Sequence, residues 1–123
     1  MKTKRTKSEV ETAIRSAIIN FEQEFMGRGP TDVKAYILHD IVLVRLKGVL
    51  TPAERQLAKS TEGIEMVKRM RQNLIAQGRE KLSKQISEIA GTEVNGLFTD
   101  IDTHLGERMM VFTLAKDLDR DLR

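Results

Sequence analysis

The sequence predicts an α+β fold in the order α-ββ-αα-ββ, with two antiparallel β-hairpins forming a sheet packed against an N-terminal helix and a long central helix. Three observations carry that prediction. β-Branched and apolar residues alternate with period two on either side of His39-Asp40. Apolar residues recur every three or four positions before Gly27 and again between Thr61 and Gly91. A capping box with proline at its first helical position stands between the two patterns. At 123 residues the chain is one domain, 1–123, with a basic N-terminus over 1–7 expected to fray and a short C-terminal tail over 116–123.

The first helix is predicted from Ser8, which forms a capping box with Glu11, to about Met26. Val10, Ile14, Ala17, Phe21 and Phe25 make one apolar stripe along it. Gly27 is placed to end the helix in the left-handed conformation. Gly29-Pro30 then forces an extended exit, because the residue before proline avoids the α region. Gly27-Arg28-Gly29-Pro30 reads as a connector rather than a phosphate cradle, since it follows a helix C-terminus and cradles form at the positive N-terminal end.

Val33, Ala35 and Ile37 alternate with Lys34, Tyr36 and Leu38, and Val42, Val44 and Leu46 alternate with Leu43, Arg45 and Lys47. A two-residue loop at His39-Asp40 pairs Ile37 with Val42, Ala35 with Val44 and Val33 with Leu46, so pattern and register agree, although the turn lacks the Asn-Gly that most favours such a loop and a longer loop stays open. On the other face Lys34 stands opposite Arg45, Tyr36 opposite Leu43 and Leu38 opposite Ile41. Four of those six are substantially apolar, whereas a solvated sheet face is mostly polar. That face is expected to be covered by this chain or by a second copy. Thr51-Pro52-Ala53-Glu54 then opens a helix: Thr51 caps the N3 amide, Glu54 reaches back to the cap, and Pro52 takes the position that needs no donor.

This helix runs to about Lys59, and Ser60-Thr61 restarts or kinks the chain. Ile64, Val67, Leu74, Leu82, Ile86 and Ile89, widened by Met70 and Ile75, mark a long helix ending at Gly91. Unbroken from Thr61 to Ala90 it spans about 45 Å, more than the ~35 Å diameter of a chain this size. It is therefore expected to bend near Gly78 or to pack against a partner, and a homodimer is the expected assembly. In the second hairpin Leu97, Thr99 and Ile101 point inward and Met110, Phe112 and Leu114 return. A four-residue loop at His104-Leu105-Gly106-Glu107 pairs Ile101 with Met110 and Thr99 with Phe112. Leu118 and Leu122 lie at helical spacing in a tail too short to stand alone.

Composition narrows the chemistry. The absence of cysteine excludes disulfides, thiolate zinc sites and cysteine nucleophiles. Aromatic residues are 4% and tryptophan is absent, which leaves little to stack on single-stranded nucleic acid. The net charge of +3 comes from 21 basic and 18 acidic residues mixed throughout. Nucleic acid is therefore disfavoured as a partner despite a pI near 9.3, the basic N-terminus and the Lys68-Arg69-Arg71 cluster. No apolar run approaches the ~20 residues of a membrane span, and no signal-peptide core follows the N-terminus, so a soluble cytoplasmic protein is expected. The methionines, six in all, are read mainly as core fillers.

Asp100, Asp102 and His104, at i, i+2 and i+4, are the one cluster of hard-metal donors, and would share a face on a strand. His104 falls in the expected turn, where aspartates are ordinary capping groups, so the three remain a weak candidate and no metal is assigned. An anion or partner contact is best placed at the Thr51 helix start, with Arg28, Lys47 and Arg55 nearby. His39 also lies in a turn. No nucleophile elbow, GxGxxG, P-loop or CxxC occurs, so no catalytic set and no cofactor is assigned.

Four stretches resemble a known family: Gly27-Arg28-Gly29-Pro30; VRLKGVLTPAE, from Val44 to Glu54; RQLAKSTEG, from Arg55 to Gly63; and Gly106-Glu107-Arg108 before the last strand. They look like the bacterial family formerly catalogued as a domain of unknown function and now named for MpsC, the third component of a Na+-translocating membrane-potential-generating system. The resemblance extends from about Ser8 to Asp119. It implies an association with inorganic-ion transport and partners among the subunits of a membrane transport complex. It brings no catalytic residues that map onto this chain. Three functions follow, in order: a homodimeric accessory or regulatory binding protein; a nucleic-acid-binding protein; and a metal- or anion-dependent enzyme using Asp100, Asp102 and His104 or the Thr51 helix start.

Overall fold

The computed structural model describes residues 5–122. In chain order these form α1 (Lys7–Met26), β1 (Asp32–Leu38), β2 (Ile41–Lys47), α2 (Pro52–Leu57), α3 (Thr61–Ala90), β3 (Val94–Asp102), β4 (Glu107–Leu114) and α4 (Leu118–Asp121). The predicted order holds, with one turn of helix added at its end. Of the N-terminal residues expected to fray, 1–4 lie outside the described residues, while Thr6 and Lys7 are the cap and first residue of α1.

The capping box of α1 is Thr6 with Glu9, two residues before the predicted pair. Both pairs fit the motif. Glu11 is engaged elsewhere: its carboxylate accepts the backbone N–H of Ile37 at 3.0 Å, on the outer edge of β1. Gly27 closes the helix with φ 82, as the sequence requires.

The first hairpin has the predicted register, with Val33 opposite Leu46, Ala35 opposite Val44 and Ile37 opposite Val42. Its two-residue turn needs a left-handed residue, and His39 supplies it at φ 57. The C-terminal tail holds that strained turn in place. Leu118 donates its N–H to the His39 carbonyl at 3.0 Å, and the Asp119 carboxylate accepts the His39 N–H at 3.2 Å. Leu118 itself is buried, so the short helix survives by docking.

The second hairpin differs from prediction by two register positions. Ile101 pairs with Arg108 and Thr99 with Met110 around a loop of Thr103–Gly106. Turn chemistry decides this: the Asp102 carboxylate accepts the Leu105 N–H at 3.0 Å, its carbonyl accepts the Gly106 N–H at 2.9 Å, and Gly106 takes φ 68. Inward and outward parity is preserved by a shift of two, so the core residues remain core. The shift does place Arg108 inward, opposite Ile101.

β2 and β4 pair along their length, which joins the hairpins into one antiparallel sheet of order β1-β2-β4-β3. Helices α1 and α3 cover one face. Ile14, Ile18 and Phe21 meet Ile75, Leu82 and Ile86 over the inward residues of all four strands. α3 is helical without interruption for 30 residues. Gly78 does not break it; it is where α1 crosses, and a Cβ there would lie 2.5 Å from the Phe21 ring. The buried line of α3 (Gly63, Val67, Arg71, Ile75, Gly78, Leu82, Ile86, Ala90) is narrower than predicted. Ile64, Leu74 and Ile89 are half-buried, while Met66, Met70 and Met109 are exposed, so half of the methionines are not core fillers.

Candidate functional site

The sheet face away from the helices carries a continuous apolar row. Strand pairing sets Tyr36 beside Leu43, Leu43 beside Val111, and Val111 beside Phe98, one residue from each strand. Leu38 and Ile41 extend it on one side and Met109 on the other. Tyr36 is 43% and Phe98 65% exposed, large values for aromatic rings on a sheet. The next row out is charged, with Lys34, Arg45 and Asp100 around Met109.

Side chains from the helices reach both sheet edges. On the β1 edge Arg15 donates to the Val33 carbonyl at 2.9 Å, beside the Glu11 contact with Ile37. On the β3 edge Arg79 donates to the Leu97 carbonyl. These contacts occupy part of each edge, while the outer face carries the exposed apolar row.

Beneath the sheet lies a buried group of four charges: Glu22 of α1, Glu54 of α2, Arg71 of α3 and Arg108 of β4. Arg71 grips Glu54 through Nε and Nη2, both at 2.7 Å, and Nη2 also donates to the Val49 carbonyl at 2.7 Å. Burial pushes the Glu54 carboxyl up, but the Arg71 fork and the Thr51 backbone contact outweigh it and hold Glu54 below its ordinary value. Glu54 therefore serves twice, as the cap partner of Thr51 at 2.9 Å and as the counter-ion of Arg71.

Glu22 and Arg108 are less well matched. Among the described residues no cation comes within ion-pair distance of Glu22, and its Oε2 has no hydrogen-bond partner. Burial pushes its carboxyl up, against the pull of Arg108 and Arg71. Arg108 is drawn down by burial, with the Glu22 charge opposing. Its Nη1 donates to Thr99 Oγ1 at 2.8 Å, while Nε, also buried, has no partner. Arg108 lines a cleft of about 410 Å³ between α3 and β3 whose walls include Lys68, Arg79, Ile75 and Leu97.

The residues singled out from sequence are distributed differently. Asp100, Asp102 and His104 border one surface hollow but are not placed to share a metal ion: Asp102 serves its turn, Asp100 faces Lys68 at 3.6 Å, and His104 sits in the loop. Among the described residues no group of three or more acidic or histidine side chains is placed to hold a metal. Arg28 turns back on the chain and donates at 3.4 Å to the Leu50 carbonyl. The Thr51 hydroxyl is taken by its cap, Lys47 lies 4.0 Å from Glu107, and Arg55 lines a separate surface hollow with Lys59 and His104. The Lys68-Arg69-Arg71 cluster does not form a patch, because Arg71 is 1% exposed. Sequence reading missed Glu22, Arg71 and Arg108 as a set. The signal was there: Glu22 follows Ile18 by four, Arg71 follows Val67 by four, and Arg108 shares parity with Met110.

The family model described as "Na+-translocating membrane potential-generating system (MpsC)" matches residues 6–116. Among relatives, the uncharacterized protein YbcI of Bacillus subtilis (strain 168) is 40% identical over 119 residues, covering 97% of this chain and 96% of the relative. The uncharacterized protein YrhF of the same organism is 27% identical over 103 residues, covering 83% and 84%. No solved structure matches the chain.

Proposed function

The chain belongs to the MpsC family, and from that premise we propose that it is a soluble, cytoplasmic accessory or regulatory component of a Na+-translocating membrane-potential-generating system, working as a homodimer through its outer sheet face. Among the described residues no helix is long and apolar enough to cross a membrane.

The observation that carries the dimer is the row Tyr36, Leu43, Val111 and Phe98. A two-fold axis along the strands, between β2 and β4, lays Tyr36 of one copy over Phe98 of the other and Leu43 over Val111. The same axis brings Lys34 over Asp100, so charge as well as apolar surface is self-complementary. A second copy therefore suits this face better than a partner of unrelated shape. Four strands about 4.8 Å apart and seven residues at about 3.3 Å each give a face of roughly 19 by 23 Å. That is roughly 440 Å² per copy, below the standard interface size and in the range of weak, transient contacts. Sedimentation velocity at tens of micromolar is expected to find a dimer for the wild type and a monomer for Phe98→Glu. A monomeric wild type refutes the assembly.

A further inference from the structure

We propose that the cleft between α3 and β3 binds a small organic carboxylate, with its head on Arg108 and its apolar body against Ile75, Leu97 and Ile101. The cleft opens beside the outer sheet face, whose Phe98 and Asp100 also stand on its rim, and the proposal goes beyond the dimer reading.

Arg108 is 3% exposed and points inward because its register places it opposite Ile101. Thr99 Oγ1 fixes one end of the guanidinium at 2.8 Å and leaves the buried Nε–H without an acceptor. Arginine does not escape burial by losing its proton, so both the donor and the charge persist. A water molecule would supply the acceptor but no charge, and Glu22 stands outside ion-pair distance. An anion supplies both. The planar edge of a guanidinium matches a carboxylate in particular.

The rest of the cleft selects the remainder of the ligand. Lys68 and Arg79 stand among its walls, where they favour an anion approaching from solvent. Asp100 also lines it and lies 3.6 Å from Lys68, which disfavours a dianion such as phosphate over a monoanion. Ile75, Leu97 and Ile101 supply apolar walls, and a volume of about 410 Å³ suits a body the size of one ring or a short chain.

The test is an amide NMR titration of the full chain with benzoate, benzyl alcohol and inorganic phosphate. Benzoate is expected to give saturable shifts, at millimolar concentration, confined to amides of 72–79 and 97–101. Benzyl alcohol and phosphate are expected to give none. Arg108→Gln should weaken benzoate by about tenfold or more, the scale of one lost charge-assisted bond. Ala76→Phe, which fills the cleft from an exposed position on α3 and leaves the buried charges intact, should abolish the shifts even if the arginine variant fails to fold. No saturable response to benzoate, an equal response to benzyl alcohol, competition by equimolar phosphate, or unchanged affinity in Ala76→Phe overturns the assignment.

Discussion

Replacing Arg71 by methionine separates charge from packing at the junction of α2 and α3. Methionine retains most of the apolar stem, so little cavity opens. What is lost is the fork: two bonds to Glu54 and one to the Val49 carbonyl, all at 2.7 Å, in a place where Arg71 is 1% exposed. Removing one partner of a buried ion pair strands the other, at a cost of about 3–5 kcal/mol. Against a domain stability of roughly 5–15 kcal/mol this is a large fraction, read as a fall in the urea midpoint at pH 7. Glu54→Gln combined with Arg71→Met removes both charges while keeping a side chain able to complete the capping box. The double variant is expected to recover most of the loss.

The pH dependence follows from the sign of the Glu54 shift. In the wild type its pKa is lowered, so its contribution is present above the unfolded carboxylate value of about 4.3 and is lost as pH falls through the folded value. In Arg71→Met burial is left to raise that pKa. The variant's deficit should therefore narrow as pH falls from 7 towards the unfolded value. A single-variant loss below about 1 kcal/mol, or a double variant no more stable than the single one, refutes a pair whose charges depend on each other.

Gly78→Ala offers helix propensity of about 1 kcal/mol, but its Cβ would lie 2.5 Å from Phe21 and 2.9 Å from Phe25, an overpacking cost of about 1–3 kcal/mol. A lower melting temperature is expected, and a stabilised variant contradicts the close crossing of α1 and α3. The raised pKa of Glu22, which faces Arg71 of α3, Arg108 of β4 and Glu54 of α2, means the folded state binds the proton more tightly. Wild-type stability relative to Glu22→Gln should accordingly fall as pH rises through the window above the unfolded carboxylate value, and a flat difference in melting temperature across that window contradicts the shift. Leu118→Ala should cost about 2–3 kcal/mol and speed amide exchange at His39, because the tail braces the first turn. Unchanged exchange there contradicts that role.

Where structure depends on neighbours in sequence, the chain reads well. The first hairpin's register follows from its alternation and short turn, and Thr51-Pro52-Ala53-Glu54 starts a helix as its residues require. The second hairpin needed the chemistry of Asp102 and Gly106 rather than the alternation alone, which is equally satisfied two positions away. The pairing of β2 with β4 leaves no local trace, since α2, α3 and β3 intervene. The cleft was hidden for the same reason. Glu54 reads as a cap and Arg71 as part of a basic cluster until the fold brings them together, 17 residues apart. Arg108 reads as part of Gly106-Glu107-Arg108 until its register turns it inward.

Tyr36 is the only tyrosine, and there is no tryptophan, so intrinsic fluorescence reports on the outer sheet face from its β1 side, where the proposed dimer lays Phe98 of the other copy. Its quenching by acrylamide, followed from nanomolar to tens of micromolar protein, asks directly whether that face is covered. The quenching constant is expected to fall as the dimer forms and to stay high throughout in Phe98→Glu. A constant that is high and independent of concentration in the wild type contradicts that expectation.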